Sequence, residues 1–217
     1  EAQGKLNWDD PVVKYLPYFN PPVRGKKGNQ ITLRDLGSHQ SGYPRMGVLW
    51  AGGKVSSRRI LETANQAKPF KPYREAFLYN NVMFLALGEA GAAADGRLWE
   101  NQLQEYLLDP LGMQTTYWNS ASAAGDGMLA QGYTFDEEAK TWIPLDPMVA
   151  IDNCKPAGAI FSSANDLTRW LQFQLSKGGD IFSESSLTKT WDPHVEIGNG
   201  IYYGLGWMTS TWRGKRI

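Results

Sequence analysis

Residues 77–88 read Phe77-Leu78-Tyr79-Asn80-Asn81-Val82-Met83-Phe84-Leu85-Ala86-Leu87-Gly88. An apolar run of helical character, reached through Tyr-Asn-Asn, constrains this chain more than any other segment. Asn is among the best N-cap residues, so Asn80 or Asn81 caps a helix. The pattern carries that helix to about Ala90, with Gly91 as its stop. Tyr79 and Asn81 stand two apart, and in an extended segment side chains two apart point the same way. One phenol and one carboxamide then face a common cleft. The same residues fit a plainer reading, a capping Asn beside a half-buried aromatic. A phenol titrates near about 10 and is a poor base at neutral pH. It becomes useful where a neighbouring cation stabilises the phenolate. The chemical reading of Tyr79 therefore calls for a lysine, and for a nucleophile that the phenol deprotonates.

A length of 217 residues suits one large or two small domains. The 22 basic residues balance the 22 acidic ones, so bulk charge recruits neither nucleic acid nor an anionic membrane. No apolar run approaches the roughly 20 residues of a spanning helix. Cys154 is the single cysteine, and its charged neighbours Asp152 and Lys155 have opposite signs. Nothing local favours a thiolate, and Cys154 reads as a small buried hydrophobe. His39 and His194 are the two histidines, and no His/Cys cluster has metal-ligand spacing. No metal or cofactor is expected. Most of the nine tryptophans are expected in the core or in cleft walls.

Along the chain, Gly4 reads as the C-cap of a helix whose body is not in the sequence, and Asp9-Asp10-Pro11 opens a short helix or turn. Thr32-Leu33-Arg34-Asp35 is a capping box for a helix near 33–38. A helix from Ser57 to about Ala67 follows, then an apolar stripe over 97–108 that Asp109-Pro110 ends. Residues 128–144 form a hairpin turning at Asp136-Glu137-Glu138. Ser163-Ala164-Asn165-Asp166 is a second capping box, for a helix with Leu167, Trp170, Leu171 and Leu175 on one face. Residues 202–212 read as strand, and Trp212 to Ile217 as a turn leading into another strand.

Several segments together resemble the class C β-lactamase-like and penicillin-binding-protein-like serine hydrolases, a superfamily of β-lactamases, D-alanyl-D-alanine peptidases and esterases. The segments are Lys5–Pro17, Ile31–Gly42, Tyr79-Asn80-Asn81, Asp109–Met113, Pro156–Trp170 (with Ala159 where Gly is usual) and Tyr203–Trp207. Each is weak alone, but six in order cover nearly the whole chain.

The resemblance implies an α+β, β-lactamase/transpeptidase-like fold, mainly the inserted helical domain plus the beginning of the C-terminal part of the α/β domain. Residues 1–20 would close the nucleophile helix and leave the α/β domain. Residues 21–195 would be the helical domain, and 196–217 the first strands returning. It implies a Ser nucleophile, a Lys and a Tyr that shuttle the proton, and an acyl-enzyme. Tyr79 would be the catalytic phenol, and Asn81 would bind the substrate's amide or the Lys. The Ser-x-x-Lys would fall before Glu1 and the last catalytic motif beyond Ile217, so the piece alone is expected to be inactive, with sheet edges left open. A small amide or ester substrate and a periplasmic or secreted location are implied too. The alternative is a non-catalytic binding or scaffolding relative. Ser186-Leu187-Thr188-Lys189 is a literal Ser-x-x-Lys in the wrong order, with Ser185 and Ser186 as caps. His39 is taken as part of a structural turn and His194 as a surface loop residue. Aromatics in the Ser41–Trp50 loop suggest an aromatic-walled cleft.

Overall fold

The computed structural model describes residues 3–25, 30–146 and 151–217. Residues 1 and 2, the start of the first expected segment, lie outside the described residues. Gly4 takes a left-handed φ of 70°.

The fold is organised around α3, Asn81–Asp95. Apart from Asn81, Glu89 and Asp95 its side chains are apolar or absent, and a helix apolar around most of its circumference is stable only when surrounded. Val82, Met83, Leu85, Ala86 and Ala90 are buried. Against them pack α1 (Leu33–Gly37) through Leu33 and Leu36, and α2 (Ser57–Ala64) through Ile60, Leu61 and Ala64. The opening segment adds Val12, Leu16 and Phe19, and the loop from Ile151 adds Cys154 and Ala159. α1 carries the expected capping box, with Thr32 and Asp35 each receiving the other's backbone N–H.

The helix does not stop at Gly91. It continues through Ala92-Ala93-Ala94, which are strong helix formers, and ends where Gly96 turns left-handed at φ 73°. The glycine inside it has another use. A Cβ on Gly88 would lie 2.3 Å from Pro156 Cγ, so only glycine lets the loop at Pro156 close on the helix.

Pro110 does not end its helix either. α4 (Trp99–Leu103) runs into a wide π turn, Gln104–Leu108, and then α5 (Asp109–Leu111), which stops at left-handed Gly112. A proline inside a helix lacks one N–H and crowds the carbonyl four residues earlier. The widened turn just before Pro110 is where that conflict is absorbed.

Strands β1 (Gly132–Asp136) and β2 (Thr141–Leu145) make the expected hairpin, paired Gly132 to Leu145. β3 (Val195–Gly198), β4 (Ile201–Tyr203) and β5 (Met208–Thr209) form an antiparallel sheet. β6 (Thr211–Trp212) and β7 (Lys215–Arg216) close a last hairpin through left-handed Arg213 and Gly214.

α6 spans Ser120–Gly125 and α7 Ala164–Leu175. The apolar face expected on α7 is not its buried face, since Leu167, Leu171 and Leu175 are exposed. α7 docks instead through Phe173, buried beside Phe182, and through Asp166, which accepts from Thr115 and Thr116. No tryptophan joins the fully buried core. Trp8 and Trp50 pack against it half-buried, while Trp142 and Trp212 are exposed. Tyr43 lies in the core, its hydroxyl donating to the Pro22 carbonyl, and so walls no cleft. His194 is half-buried rather than on the surface, and its N–H donates to the Tyr203 carbonyl. Among the described residues no helix is long and apolar enough to cross a membrane.

Candidate active site

Asn80 is the residue that caps α3. It takes extended backbone angles, and its Oδ1 accepts from the N–H groups of Val82 and Met83 at 2.9 and 3.3 Å. Its amide nitrogen donates to the Pro44 carbonyl, tying the cap to the neighbouring loop. Tyr79 is therefore the last residue outside the helix, held immediately before a fully satisfied cap.

His39 fixes the same stretch from the other side. Its carbonyl accepts from Leu78 N–H at 2.9 Å, and its Nδ1 accepts from Asn80 N–H at 3.1 Å. Those two N–H groups flank Tyr79, so one residue holds the backbone on both sides of the phenol. An Nδ1 that accepts leaves the proton on Nε2, and the imidazole is neutral. Burial pushes its pKa down to about 4. The ring lies 4.5 Å from Tyr79, 4.6 Å from Phe84 and 5.1 Å from Tyr203, between centroids.

Tyr79 is 38 % exposed and lines a hollow of about 280 Å3 with His39, Phe84, Tyr203, Gly206 and the loop 156–160. The aromatic wall expected of the Ser41–Trp50 loop is built here by other residues. The Arg45 guanidinium carbon stands 5.5 Å above the Tyr79 ring, a cation over a π face. Tyr203 is the second phenol of the hollow. Burial, reinforced by the nearby Tyr79, pushes its pKa up to about 12. Of the two, Tyr79 is the more exposed, at 38 % against 5 %.

Asn81, the first helical residue, is not in the wall of this hollow. Its Oδ1 is buried and has no protein partner among the described residues. Its backbone carbonyl lies 3.5 Å from Cys154 Sγ. Cys154 is fully buried, and burial pushes its thiol up to about 12, so it is a packing residue and not a nucleophile. Ser186 lies in a different hollow, beside Trp8 and Tyr106. It sits in α8 (Glu184–Thr188), whose cap is Ser183, not Ser185 or Ser186. Among the described residues no group of three or more His, Cys, Asp or Glu side chains is placed to hold a metal ion.

Three parts of the site were not visible as such in the sequence. His39 as a clamp depends on a contact 41 residues away. Arg45 is one basic residue in an irregular loop, with no spacing to mark it. The loop Pro156–Ala157–Gly158 carried a visible motif, but its place in the wall follows from Gly88.

The family model described as Beta-lactamase matches residues 1–217. Among curated proteins, the unguisins hydrolase ungD' of Aspergillus campestris is 27% identical over 98% of this chain and 42% of its own length. The D-alanyl-D-alanine-carboxypeptidase/endopeptidase AmpH of Escherichia coli is 27% identical over 95% of the chain and 55% of its own. The chain thus spans about half the length of these relatives. Among solved structures, an octameric penicillin-binding protein homologue from Pyrococcus abyssi superposes with a TM-score of 0.84. It is 24% identical, covering 99% of this chain and 50% of that one. A D-stereospecific amidohydrolase from Streptomyces superposes at 0.78, with 21% identity over 99% of this chain and 67% of that one. The mixed helix-and-sheet fold is the β-lactamase/transpeptidase-like one. The chain belongs to the Beta-lactamase family, whose model spans it from end to end.

Proposed function

We propose that the full-length protein carrying this chain is a serine hydrolase that opens a small amide or ester through an acyl-enzyme, with Tyr79 as its proton relay. The nucleophilic Ser and its Lys belong to segments outside these 217 residues. Tyr79, as phenolate, takes the Ser proton as Oγ attacks the carbonyl carbon, and returns it to the leaving amine or alcohol. Water then opens the acyl-enzyme by the same exchange in reverse. Asn81 is assigned to the substrate amide or to the Lys ammonium from its place in the Tyr79-Asn80-Asn81 motif, with its Oδ1 buried and lacking a protein partner.

The observation that carries this reading is the setting of Tyr79. It is half-exposed at a hollow, clamped on both sides by His39, and has a guanidinium above its ring. The relatives named as carboxypeptidase, amidohydrolase and amidase support the bond type.

The test uses the full-length protein and a fluorescent penicillin or phosphonate. The expected adduct is on a Ser that precedes Lys5. Tyr79→Phe should slow labelling by about 10²–10⁴-fold, the usual contribution of a positioned acid–base group. An adduct on Ser186, or a rate untouched by Tyr79→Phe, would end the assignment.

A further inference from the structure

Beside the Tyr79 hollow lies a second one, of about 280 Å3, lined almost wholly by carbon. Leu103, Leu107, Leu108, Met113, Leu167 and Trp170 supply its apolar lining. Ile160 lines both hollows and is 48 % exposed, a ridge between two openings on one surface.

We propose that this second hollow is the subsite for an apolar acyl or side chain of the substrate, so that the substrate class is amides or esters with an extended aliphatic or aromatic group. The inference rests on the reading of Tyr79 as a relay, and it says where the non-reacting part of the same molecule lies.

Three features point to it. The first is the π turn Gln104–Leu108. A widened turn brings residues four and five apart onto one face, and it turns Leu103, Leu107 and Leu108 together toward the hollow. Such turns are frequent at functional sites, and the one that absorbs Pro110 also shapes this wall.

The second is the chemistry of the floor. Thr116 and Ser162 are the polar residues of the lining, and both hydroxyls are used elsewhere. Thr116 Oγ1 donates to Asp166 Oδ2 at 2.8 Å and lies 2.8 Å from Ser162 Oγ, whose proton it accepts. Burial acts to raise Asp166, but the hydrogen bonds from Thr116 and Thr115 outweigh it and hold its pKa below the usual range. The carboxylate thus stays charged and keeps those hydroxyls turned down. What remains facing the hollow is hydrocarbon, and an apolar cavity holds apolar ligands in preference to water.

The third is rigidity. The Trp170 ring stacks on Trp207 at 6.4 Å and 9° between planes, and Trp207 follows Gly206 of the first hollow. One wall residue of the subsite is thus braced by the residue next to Gly206 of the first hollow. A pre-formed wall loses little freedom when a ligand packs against it.

The experiment measures binding, by calorimetry, of straight-chain primary amides from butanamide to octanamide to the full-length protein. Each added methylene should tighten binding about fourfold until the hollow is full, as burial of a CH₂ group predicts. Leu107→Trp fills the hollow and should flatten that dependence. Leu107→Met, which conserves volume, should keep it, and matching melting temperatures for the two variants would rule out misfolding. A flat series in the wild type, or a slope that survives Leu107→Trp, overturns the subsite. The matching 4-nitrophenyl esters keep the two readings apart. Turnover with no dependence on chain length removes the subsite and leaves the hydrolase. A binding slope with no turnover removes the hydrolase, and the hollow then stands as an apolar binding site only.

Discussion

At His39 the backbone takes a left-handed φ of 57°, which costs an L-residue other than Gly or Asn about 1–2 kcal/mol. The gain is a carbonyl and an Nδ1 that meet two N–H groups on either side of Tyr79. Acid should undo this. The His39 pKa drops from 6.5 to about 4 on folding. Between those values the unfolded chain holds the proton and the folded one does not. The stabilisation is therefore complete above about pH 6.5 and disappears as pH falls toward 4, with a loss of about 3 kcal/mol at 1.36 kcal/mol per pKa unit. His39→Asn tolerates the same φ and offers an acceptor in place of Nδ1, so it should fold. The fall in urea midpoint from pH 7 to pH 4.5 should be smaller in that variant than in the wild type. Equal falls would mean that His39 is not the group titrating. Much of this residue-scale detail is legible beforehand only in part. That Asn80 or Asn81 caps α3 follows from residue type, while the choice of Asn80 follows from its extended angles. The partner of Asn80 N–H, 41 residues earlier, leaves no local pattern to read.

For single elements, the start signals in the sequence are more faithful than the stop signals. Thr32, Ser163 and Asn80 cap α1, α7 and α3, because a cap is a contact within four residues. Gly91 and Pro110 look like stops and are not. The alanines after Gly91 carry the helix on to Gly96, and Pro110 is absorbed by the widened turn before it. The face of α7 misleads in the same way. Periodicity marks Leu167, Leu171 and Leu175 as one side, yet the Asp166 and Phe173 contacts decide which side is buried. Two substitutions separate elements that carry the fold from those that do not. Gly88→Ala drives a methyl into Pro156 and should lower stability by about 1–3 kcal/mol. Trp142→Ala removes one partner of an exposed ring pair, Phe135–Trp142, and should cost no more than about 1 kcal/mol. Both are read as shifts in the urea midpoint at pH 7, and the reverse ranking would contradict this account of where the stability lies.

Across the whole molecule, burial is uneven. α3 with α1, α2, the loop 151–159 and the opening segment holds most of the main buried apolar cluster, while β1 and β2 are exposed along almost their full length. Native-state hydrogen exchange should follow that division. Amides of Val82 to Ala90 should exchange only by global unfolding, and those of β1 and β2 by local opening, orders of magnitude faster. Uniform protection across both would argue against a single dominant core. The fold class is the best-read property at this scale, since six motifs in a fixed order survive even where each is weak. The positions of Arg45 and of the two adjoining hollows are the worst-read, since they come from packing between segments far apart in sequence. Gly88 has a last consequence. It seats the loop of Pro156 on the helix whose first turn follows Tyr79, with no slack at the joint. Thermal drift of the helix drags that rim along with the phenol, so the mouth keeps its gauge through fluctuations that would loosen a roomier seam.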